Sequence, residues 1–357
     1  MINKNFWKKK KVLVTGHTGF KGGWLSLWMK TLGAEVAGYS LDPITKKNFF
    51  DLTGIKKIFK LDYRNNIQNF NCLKNCIDDF KPEIIFHLAA QPQVLQSYNE
   101  PLDTVRTNVI GTANLLEIAR NKRFIKSIVV VTTDKVYKNT EKKVRFSEDD
   151  CLGGDDLYSS SKACADIISS SYLKSFYSKN YFKLATARAG NCIGGGDWTK
   201  YRILTDSSEA FLKSTKLIVR NPNSQRPWQH VLEPLAGYII LAQKLHTKKG
   251  LNFCGAWNFG PNRKNHITVK KFAKLFKVKM KSSSKIYLKK NSDKKEKLFL
   301  DLDSEKSQKK LNWKSFLSID QTLQLTAEWY LAYQQKKNML KISSEQIKEF
   351  MRISKKI

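Results

Sequence analysis

Residues 11–22 read K-V-L-V-T-G-H-T-G-F-K-G, in which a short apolar run is followed by glycine at every third position. The run 11–15 predicts a buried strand, and the apolar spacing from Trp24 to Leu32 predicts a helix. The glycines would let the backbone approach a phosphate group, whose charge is favoured by the free N–H groups at the start of a helix. The stretch therefore predicts a dinucleotide-binding turn between a first strand and a first helix.

Further strands and helices alternate along the first 190 residues. The predicted strands span 35–41, 84–88 and 128–132, and the predicted helices span 67–80, 108–120 and 158–177. Parallel strands joined by helices form a sheet that is covered on both faces. The pattern predicts an α/β fold, a Rossmann-like doubly wound parallel sheet with a smaller mixed α/β C-terminal substrate domain.

The second half of the chain has a less regular pattern. Helical spacing is present in 203–219, 267–277 and 319–333, while the Lys/Ser-rich stretch 278–310 is predicted to be partly irregular. Tryptophan and arginine gather near its loops, which suits a ligand-facing region. We predict an NAD-binding domain over 1–190 with a return segment near 225–255, and a substrate-binding region over 191–224 and 256–357.

The composition argues against several classes of function. The chain has 357 residues and a formal net charge of +33, but its lysines are spread along the whole length, and no nucleic-acid-binding motif is present. No window approaches 18 apolar residues, and the first residues do not resemble a secretory signal. Six cysteines without a C-x-x-C pair suit a reducing compartment. We expect a cytoplasmic protein with no nucleic-acid, membrane or metal partner.

The second predicted strand should end near the ribose of a bound dinucleotide. An acidic residue is usual there for NAD, and an arginine for NADP. This chain has Ser40 at that point, followed by Asp42, and no arginine. We therefore predict NAD as the cofactor. Asp62 could face the adenine, but an ordinary acid at a strand end explains it equally well.

Two groups of polar residues have the spacing of a reacting site. Tyr158 and Lys162 lie four apart in L-Y-S-S-S-K, so they share one face of a helix, where the lysine can lower the pKa of the tyrosine by stabilising its phenolate. Thr133, Asp134 and Lys135 follow a buried strand at its carboxyl end, the side of an open sheet on which ligands bind. In the alternative interpretation, Asp134 caps the next segment and Lys135 is a solvated charge.

These motifs resemble the extended short-chain dehydrogenase/reductase family, in which G-x-x-G-x-x-G, H-L-A-A-Q (87–91), T-N-V-x-G-T around Asn108 and Y-x-x-x-K follow in this order. The narrower resemblance is to the nucleotide-sugar 4,6-dehydratases, and CDP-glucose is the substrate that it favours. It is carried by T-G-H-T-G-F-K-G-G-W-L (15–25), T-D-K-V-Y (133–137), G-N-C-I-G-G-G-D-W (190–198) and R-P-W-Q-H-V-L-E-P-L-x-G-Y (226–238).

The resemblance implies a lyase that uses NAD to oxidise C4 of a nucleotide-linked glucose, removes water across C5 and C6, and returns the hydride to C6. The implied catalytic residues are Tyr158 as base at the 4-hydroxyl, Thr133 and Lys162 as orienting groups, Asp134 as acid, and Lys135 as base at C5. A proton shared by Asp134 and Lys135 as a coupled pair is an equally open description. The implied cofactor-binding residues are Gly16, His17, Thr18, Gly19, Phe20, Gly22, Ser40, Asp62, Leu88, Ala89, Ala90, Gln91, Asn108, Thr132, Tyr158 and Lys162. The implied substrate-binding residues are Gln91, Asn191, Arg202, Arg226, Gln229 and His230, of which His230 could equally be a structural histidine.

Other functions fit parts of the same pattern. A 4-epimerase, or a dehydratase that acts on a dTDP-, UDP- or GDP-sugar, would share Tyr158 and Lys162, but an epimerase needs neither Asp134 nor Lys135. A non-catalytic binding protein with this fold would need none of the four. The resemblance also implies a homodimer packed through helices that include the one bearing Tyr158.

Overall fold

A large parallel sheet forms the centre of the computed structural model, which describes residues 1–140, 145–176, 182–289 and 300–354. The strands in these ranges are β1 (Lys11–Thr15), β2 (Glu35–Ser40), β3 (Phe59–Arg64), β4 (Ile84–His87), β5 (Ser127–Val131), β6 (Lys183–Ala189), β7 (Cys192–Ile193), β8 (Leu217–Arg220), β9 (Gln225–Pro227), β10 (Gln229–His230), β11 (Gly255–Phe259), β12 (His266–Thr268) and β13 (Ile286–Lys289).

Seven of these strands pair in the order β11-β6-β5-β4-β1-β2-β3, and every pair is parallel. β1 lies between β4 and β2, so the strand order changes direction beside it. The carboxyl ends on either side of such a change leave a crevice in which ligands bind. The predicted doubly wound α/β fold is confirmed.

Helices connect the strands and cover both faces of the sheet. The α-helices in the described ranges are α1 (Lys4–Trp7), α2 (Phe20–Thr31), α3 (Phe49–Thr53), α4 (Phe70–Phe80), α5 (Val94–Asn99), α6 (Pro101–Val105), α7 (Gly111–Ala119), α8 (Leu157–Phe176), α9 (Ile203–Leu212), α10 (Leu232–Leu245), α11 (Val269–Lys279), α12 (Glu305–Leu311), α13 (Ile319–Gln334) and α14 (Met339–Ser354). A π-helical turn, Arg106–Ile110, joins α6 to α7. Each helix in the described part of the chain is too short or too polar to cross a lipid bilayer.

Apolar side chains fill both sides of the sheet because successive residues of a strand point to opposite faces. Along β1, Val12 and Val14 pack in a cluster with Trp24 of α2 and side chains of α10, α13 and α14. Leu13, between them, packs on the other face with Leu115 of α7 and side chains of α4. The sheet is therefore the middle layer of three, and its strand ends are the places where polar groups can meet a ligand.

Three small sheets follow β6 and form a mixed α/β region. β7 pairs with β10 and β8 with β13 in parallel, while β9 pairs with β12 in the antiparallel direction. β11 then pairs with β6, which returns the chain to the large sheet. The assignment of residue ranges to an NAD-binding and a substrate-binding unit stays a prediction.

Two stretches fold differently from the sequence prediction. The predicted helix 203–219 ends at Leu212, because the positive φ of Ser214, 54°, cannot continue a right-handed helix, and β8 follows. The irregular prediction for 278–310 missed β13 and α12, and the part of it at 290–299 lies outside the described residues. In both places a short strand in a Lys-rich sequence is stabilised by pairing with a segment that is distant in the chain.

Candidate active site

The glycine-rich turn after β1 packs tightly against the loop that follows β4. Gly16 has a φ of +73°, and a Cβ atom on it would lie 2.7 Å from the backbone nitrogen of Ala89. A Cβ atom on Gly22 would lie 2.1 Å from the carbonyl oxygen of Gly16. Gly19 begins α2 without a side-chain cap, so the first N–H groups of this helix can bind an anion. The three glycines therefore form a compact turn, and the N–H groups at the start of α2 are hydrogen-bond donors beside it.

His17 lies in the same turn, but its side chain is directed into the fold. The ring is completely buried, its Nε2 lies 2.8 Å from Oδ1 of Asp62, and a Cβ atom on Gly38 would clash with it. Burial raises the pKa of Asp62, but the hydrogen bonds from His17 and Arg64 outweigh burial and lower the pKa to about 2. His17 and Asp62 therefore hold β3 against the turn, and their direct contact with the cofactor stays a prediction.

Hydroxyl groups connect the turn with the neighbouring strand ends. Thr18 Oγ1 lies 2.8 Å from Ser40 Oγ at the end of β2. Thr15 Oγ1 accepts hydrogen bonds from the backbone N–H groups of Leu88 and Ala89. The predicted cofactor-binding residues that follow β1, β2 and β4 thus converge on one edge of the sheet.

Asn108, in the π-helical turn, holds the loop after β4 in place. Its Oδ1 accepts a hydrogen bond from the N–H of Gln91, and its Nδ2 donates to Ser161 of α8, both at 2.8 Å. The amide of Gln91 donates to Thr104 and to the carbonyl of Gln93. Both side chains therefore support the backbone around the cleft, and their contacts with NAD or a sugar stay predictions.

The end of β5 carries the predicted acid. Thr133 begins the short 3₁₀ turn Asp134–Val136, and its Oγ1 donates to Oδ1 of Asp134 at 3.0 Å. Asp134 is 2% exposed, and its Oδ2 would lie 2.8 Å from a Cβ atom on Gly190. Burial raises the pKa of Asp134, while the charge of the adjacent Lys135 and the Thr133 hydrogen bond oppose the increase. A buried carboxyl group whose pKa is raised in this way is suited to act as a general acid.

Tyr158 approaches this carboxyl from α8. Its hydroxyl is hydrogen-bonded to the side chain of Thr133, so Thr133 connects the phenol with Asp134. Burial raises the pKa of Tyr158, while the Thr133 hydrogen bond and the charges of Lys21 and Arg202 oppose the increase. Three of the predicted catalytic residues, Tyr158, Thr133 and Asp134, therefore form one continuous group.

Lys162 lies one turn further along α8 and has a different partner. Its Nζ donates to the carbonyl oxygen of Val131 at 2.8 Å, and its side chain is buried. Burial, with the charge of Lys21, lowers the pKa of Lys162 to about 8, and Asp166 opposes this change. Burial is the largest influence on the pKa of Tyr158 in the structure, and the expectation that Lys162 lowers this pKa stays a prediction.

A buried ion pair attaches α8 to the sheet behind the reacting groups. Asp166, two turns after Tyr158, accepts hydrogen bonds from Nε and Nη2 of Arg188 at 2.9 and 2.8 Å. It also accepts hydrogen bonds from the hydroxyls of Thr132 and Thr186, both at 3.0 Å. In the structure, Thr132 therefore links β5 to α8, and its predicted contact with the cofactor stays a prediction.

Two of the predicted substrate-binding arginines border the same cleft. Arg202 precedes α9, donates to Oδ2 of Asp197 at 2.8 Å, and its charge acts on Tyr158. Arg226 lies in β9, is half-buried, and its charge acts on Asp134. Guanidinium groups on two sides of a phenol and an acid are suited to an anionic substrate such as a diphosphate.

The other predicted substrate-binding residues lie where β7 pairs with β10. Asn191 is half-buried, and its carbonyl accepts a hydrogen bond from the N–H of Gln229 at 3.4 Å. The side chains of Gln229 and His230 are completely buried, and Gln229 donates to the carbonyl of Phe259. Burial lowers the pKa of His230 to about 3. Neither side chain reaches the cleft surface, which favours a structural histidine at position 230.

The sequence analysis missed three side chains that the fold brings to the cleft. Lys21, in the first turn of α2, hydrogen-bonds with Cys192 of β7, and its charge acts on Tyr158 and Asp134. Tyr238 of α10 is completely buried and lies close enough to interact electrostatically with the same groups. Lys21 stands inside the opening stretch, where only the glycine spacing was interpreted. Cys192 and Tyr238 stand in the motifs at 190–198 and 226–238, which gave the resemblance but no role for these two side chains.

The residues around the turn fit NAD. The start of α2 has no side-chain cap and suits a pyrophosphate. At the ribose position, Arg64 of β3 lies opposite Ser40, which the sequence analysis did not foresee. Its guanidinium lies 2.8 Å from Asp62 and 3.5 Å from Asp42. These two carboxylates neutralise the positive charge of Arg64, which the 2′-phosphate of NADP would need as its partner.

Comparison with known proteins assigns the family. The family model described as GDP-mannose 4,6 dehydratase matches residues 13–326. The chain belongs to this family. A curated relative of this family member, the CDP-glucose 4,6-dehydratase of Salmonella typhimurium, is 42% identical over 356 residues, which cover 98% of this chain and 99% of that protein.

Solved structures have the same fold as this member of the GDP-mannose 4,6-dehydratase family. The dTDP-glucose 4,6-dehydratase from Bacillus anthracis, in complex with NAD, matches with a TM-score of 0.77 at 23% identity and covers 93% of this chain and 99% of its own. UDP-glucose 4-epimerase from Thermotoga maritima, with UDP-glucose, gives 0.77 at 21% identity, with coverages of 90% and 99%. The predicted resemblance to nucleotide-sugar 4,6-dehydratases is confirmed by the family match.

Proposed function

We propose that this chain converts CDP-glucose to CDP-4-keto-6-deoxyglucose and water, with NAD as its cofactor. Family membership and 42% identity with a CDP-glucose 4,6-dehydratase over nearly the whole chain support the proposal. The observation that carries it is the hydrogen-bonded group of Tyr158, Thr133 and the buried Asp134. Of these side chains, oxidation of a sugar hydroxyl by NAD needs only the phenol as a base. Loss of water also needs an acid beside it.

The first step is oxidation at C4. NAD, when bound, takes the hydride from C4 and returns it to C6 at the end of the cycle. Tyr158 accepts the proton of the 4-hydroxyl at its phenolate oxygen, which the hydroxyl of Thr133 stabilises when it rotates to donate to Tyr158 instead of Asp134. Lys162 positions the end of β5 through its hydrogen bond to Val131.

The second step is elimination across C5 and C6. The ketone at C4 makes the C5 proton removable, and Lys135, which is half-buried beside Asp134, accepts it. Asp134 donates its proton to the 6-hydroxyl, so the C6–O bond breaks and water leaves. A carboxyl whose pKa is raised by burial is suited to this role. In the alternative description of this step, one proton passes between Asp134 and Lys135.

The protons balance if Thr133 relays one of them. After water has left, Tyr158 holds the proton of the 4-hydroxyl and Asp134 is a carboxylate. The hydroxyl of Thr133 is hydrogen-bonded to both groups, so it can accept the tyrosine proton and pass its own to the carboxylate. Lys135 returns its proton to C5. Tyr158, Asp134 and Lys135 then have the protonation states in which they began the cycle.

The nucleotide part of the substrate is bound through its charge. Arg202 and Arg226, whose charges act on Tyr158 and Asp134, contact the diphosphate in this proposal. The preference for cytidine is supported by the relative with 42% identity.

Incubation with four nucleotide sugars tests the proposal. The purified chain is supplied with NAD and, in separate reactions, with CDP-, dTDP-, UDP- or GDP-glucose, and mass spectrometry records loss of one water. We expect rapid loss of water from CDP-glucose and little from the others. Loss from another nucleotide sugar would keep the chemistry and reject the cytidine preference. A change of sugar configuration without loss of mass would identify an epimerase instead.

We also propose that the chain forms a homodimer through α8 and the helices packed on it. Apolar side chains are exposed there, with Leu102 of α6 68%, Ile110 47% and Ile167 of α8 49% exposed. Sizing by light scattering should therefore give a dimer for the wild type and a monomer for Ile167→Lys. Leu251→Lys, which removes a similarly exposed leucine elsewhere, is the control. A monomeric wild type would reject the dimer.

A cytoplasmic location is the last part of the proposal. All six cysteines are free thiols, two of them exposed, as suits a reducing compartment. Fractionation of the native host should therefore recover the chain with the cytoplasmic proteins. Recovery with secreted proteins would reject this location.

A further inference from the structure

Tyr137 lies buried directly after the turn that carries the proposed acid, and the reaction described above gives it no role. It follows the 3₁₀ turn Asp134–Val136 and is 2% exposed. Its ring stacks on that of Phe146, with the ring centroids 4.9 Å apart, and its backbone forms an isolated bridge with Leu152 in the loop before α8. A buried phenol needs a hydrogen-bond partner. The partners of this hydroxyl show what holds the end of the turn.

The phenol oxygen of Tyr137 is bound by side chains of two adjacent strands. Nη1 of Arg188 in β6 donates to it at 2.8 Å, and the phenol donates to Oδ1 of Asn258 in β11 at 2.7 Å. Arg188 and Asn258 lie opposite each other in the sheet. A guanidinium group can only donate, so the direction of both hydrogen bonds is determined. The side chain of Tyr137 therefore connects this end of the turn with the large sheet.

Asn258 is itself held in one orientation. Its Nδ2 donates to the carbonyl of Phe146, and its backbone N–H donates to Oε1 of Glu148, both at 2.8 Å. Its carbonyl accepts a hydrogen bond from Ser307 Oγ at 2.6 Å, and its side chain is completely buried. Because the amide nitrogen is already bound to a carbonyl, the amide oxygen is left to accept the hydrogen of the phenol. The sheet thus determines where the phenol lies.

The other end of the turn is attached to the same ion pair. Thr132 donates to Oδ2 of Asp166 at 3.0 Å, and Asp166 accepts a hydrogen bond from Arg188, which also donates to Tyr137. These four side chains and the backbone of 133–136 therefore form a closed ring. Each of the four side chains belongs to a residue that is less than a tenth exposed. The segment that carries the acid is thus held at both of its ends.

The base of the first step is held in place without Tyr137. Tyr158 lies on α8, which is attached to the end of β5 by Lys162, whose Nζ donates to the carbonyl of Val131 at 2.8 Å. The hydrogen bond that Asp166 accepts at the end of β5 provides a second attachment. Loss of the phenol of Tyr137 should therefore leave the position of Tyr158 unchanged.

We propose that Tyr137 is a positioning residue for the elimination step, because its phenol holds the turn that carries Asp134 and Lys135. The inference rests on the proposed function, in which these two side chains remove water across C5 and C6. Without the phenol, the end of the turn is no longer bound to the sheet, and the carboxyl of Asp134 is misplaced relative to the sugar. Oxidation at C4, which uses Tyr158, should continue, while loss of water should slow.

Tyr137→Phe tests the proposal, because it removes the hydroxyl and keeps the stacked ring. The NAD-loaded protein is mixed rapidly with CDP-glucose, the absorbance of the reduced cofactor is recorded, and mass spectrometry records loss of water. A misplacement of about 1 Å costs on the order of 100-fold in rate. We expect loss of water to slow by about this factor and the reduced cofactor to accumulate well above its level in the wild type, because oxidation continues.

Amide hydrogen exchange without substrate measures the turn directly. Peptides that contain 133–136 should exchange about fivefold faster in Tyr137→Phe than in the wild type, which is the effect of one lost hydrogen bond on an opening equilibrium. Peptides from the start of α8 should exchange at the wild-type rate. Because no turnover is measured, the exchange shows whether the phenol holds the turn even if the wild type releases no water, the result that would reject the proposed function.

Tyr39→Phe is the matched control. Tyr39 is completely buried, its hydroxyl donates to the carbonyl of Asn66 at 3.0 Å, and its strand β2 is separated from β5 by β1 and β4. It should leave the rate and the exchange of 133–136 unchanged. The proposal fails if Tyr137→Phe leaves this exchange unchanged, or if the exchange rises while water is lost at the wild-type rate. Equal slowing of oxidation and water loss, without accumulation of reduced cofactor, would equally reject a role in the elimination step.

Discussion

Gly190 sets the space available to the carboxyl group of Asp134. The structure leaves 2.8 Å between Oδ2 of Asp134 and the position of a Cβ atom on Gly190. Gly190→Ala should therefore force the carboxyl to rotate away from Thr133. A misplacement of about 1 Å costs on the order of 100-fold in rate. We expect this loss in the rate of dehydration, measured by mass spectrometry, with NAD binding unchanged.

Gly153→Ala is a suitable control for this prediction. A Cβ atom on Gly153 would meet the side chain of Lys138 at 3.3 Å, away from the reacting groups. The control should keep a rate close to that of the wild type. A Gly190→Ala protein that is fully active would mean that the carboxyl does not need its observed position.

At the scale of single residues, local motifs predicted which residues react, but not which residues surround them in the folded protein. Tyr158 and Lys162 share a helix face, and Thr133 and Asp134 end a buried strand, so each pair is visible in the sequence. The partner of Lys162 is a backbone carbonyl of β5, which no side-chain pattern reports. Lys21 meets Cys192 only because α2 packs against a segment distant in the chain, so its place could not be predicted.

At the scale of secondary structure, the ion pair between Asp166 and Arg188 joins α8 to β6. Both side chains are buried, and the carboxylate accepts four hydrogen bonds. Asp166→Asn would leave the guanidinium of Arg188 buried without a counter-charge. Loss of one partner of a buried pair costs about 3–5 kcal/mol of unfolding free energy. Denaturant unfolding should show a loss of this size.

Thr186→Val provides the matched comparison at the same carboxylate. It removes one hydrogen bond from a hydroxyl to the carboxylate and no charge, so the expected loss of unfolding free energy is about 2 kcal/mol. If Thr186→Val and Asp166→Asn lost the same amount of unfolding free energy, the negative charge of Asp166 would not be important for stability.

The strands with continuous apolar runs were predictable, and several of the strands that contain charged residues were not. Strands buried on both faces and the helix that carries Tyr158 have continuous patterns, and the structure has them within a few residues of the prediction. β3 and β13 contain charged residues, so their strand character depends on a pairing partner. The amphipathic α14 was not recognised at all, although it packs against α2, α3 and α13.

At the scale of the whole molecule, Glu233 connects α10, which packs on the large sheet, with the segment before α13. It is completely buried and accepts hydrogen bonds from Ser315 Oγ and from the N–H groups of Phe316 and Leu317, at 2.7–2.9 Å. Burial raises its pKa from 4.5 to about 7, and these hydrogen bonds oppose the increase. The packing of the two parts therefore depends on a carboxyl that titrates near neutral pH.

The sign of this dependence follows from proton binding. Between pH 4.5 and 7 the folded state keeps a proton that the unfolded state has lost, so the contribution of Glu233 to stability falls as the pH rises. Glu233→Gln cannot titrate, and its amide oxygen can still accept the two backbone hydrogen bonds while its NH2 group donates to Ser315 Oγ. Relative to the wild type, its unfolding free energy should gain up to about 3 kcal/mol across this window. Exposed Glu328 provides the control Glu328→Gln, for which we expect a pH-independent difference, and a flat difference for Glu233→Gln would reject the prediction.

The architecture of the whole molecule was largely predictable because the order of strands and helices determines a doubly wound sheet. The contacts that close the cleft were not predictable, since they come from β7, β9 and α10, which meet the first strands only after folding. Arg64 illustrates this limit, because its place beside Ser40 follows from the register of β3 on β2.

The central claim is that Asp134 is the acid that expels the 6-hydroxyl of the sugar as water. Asp134→Asn keeps the size of the side chain and removes the transferable proton. Product formation from CDP-glucose is measured by mass spectrometry, and NAD binding is measured separately by calorimetry. We predict a loss of dehydration on the order of 100-fold or more with unchanged NAD affinity. Dehydration at the wild-type rate would contradict the account.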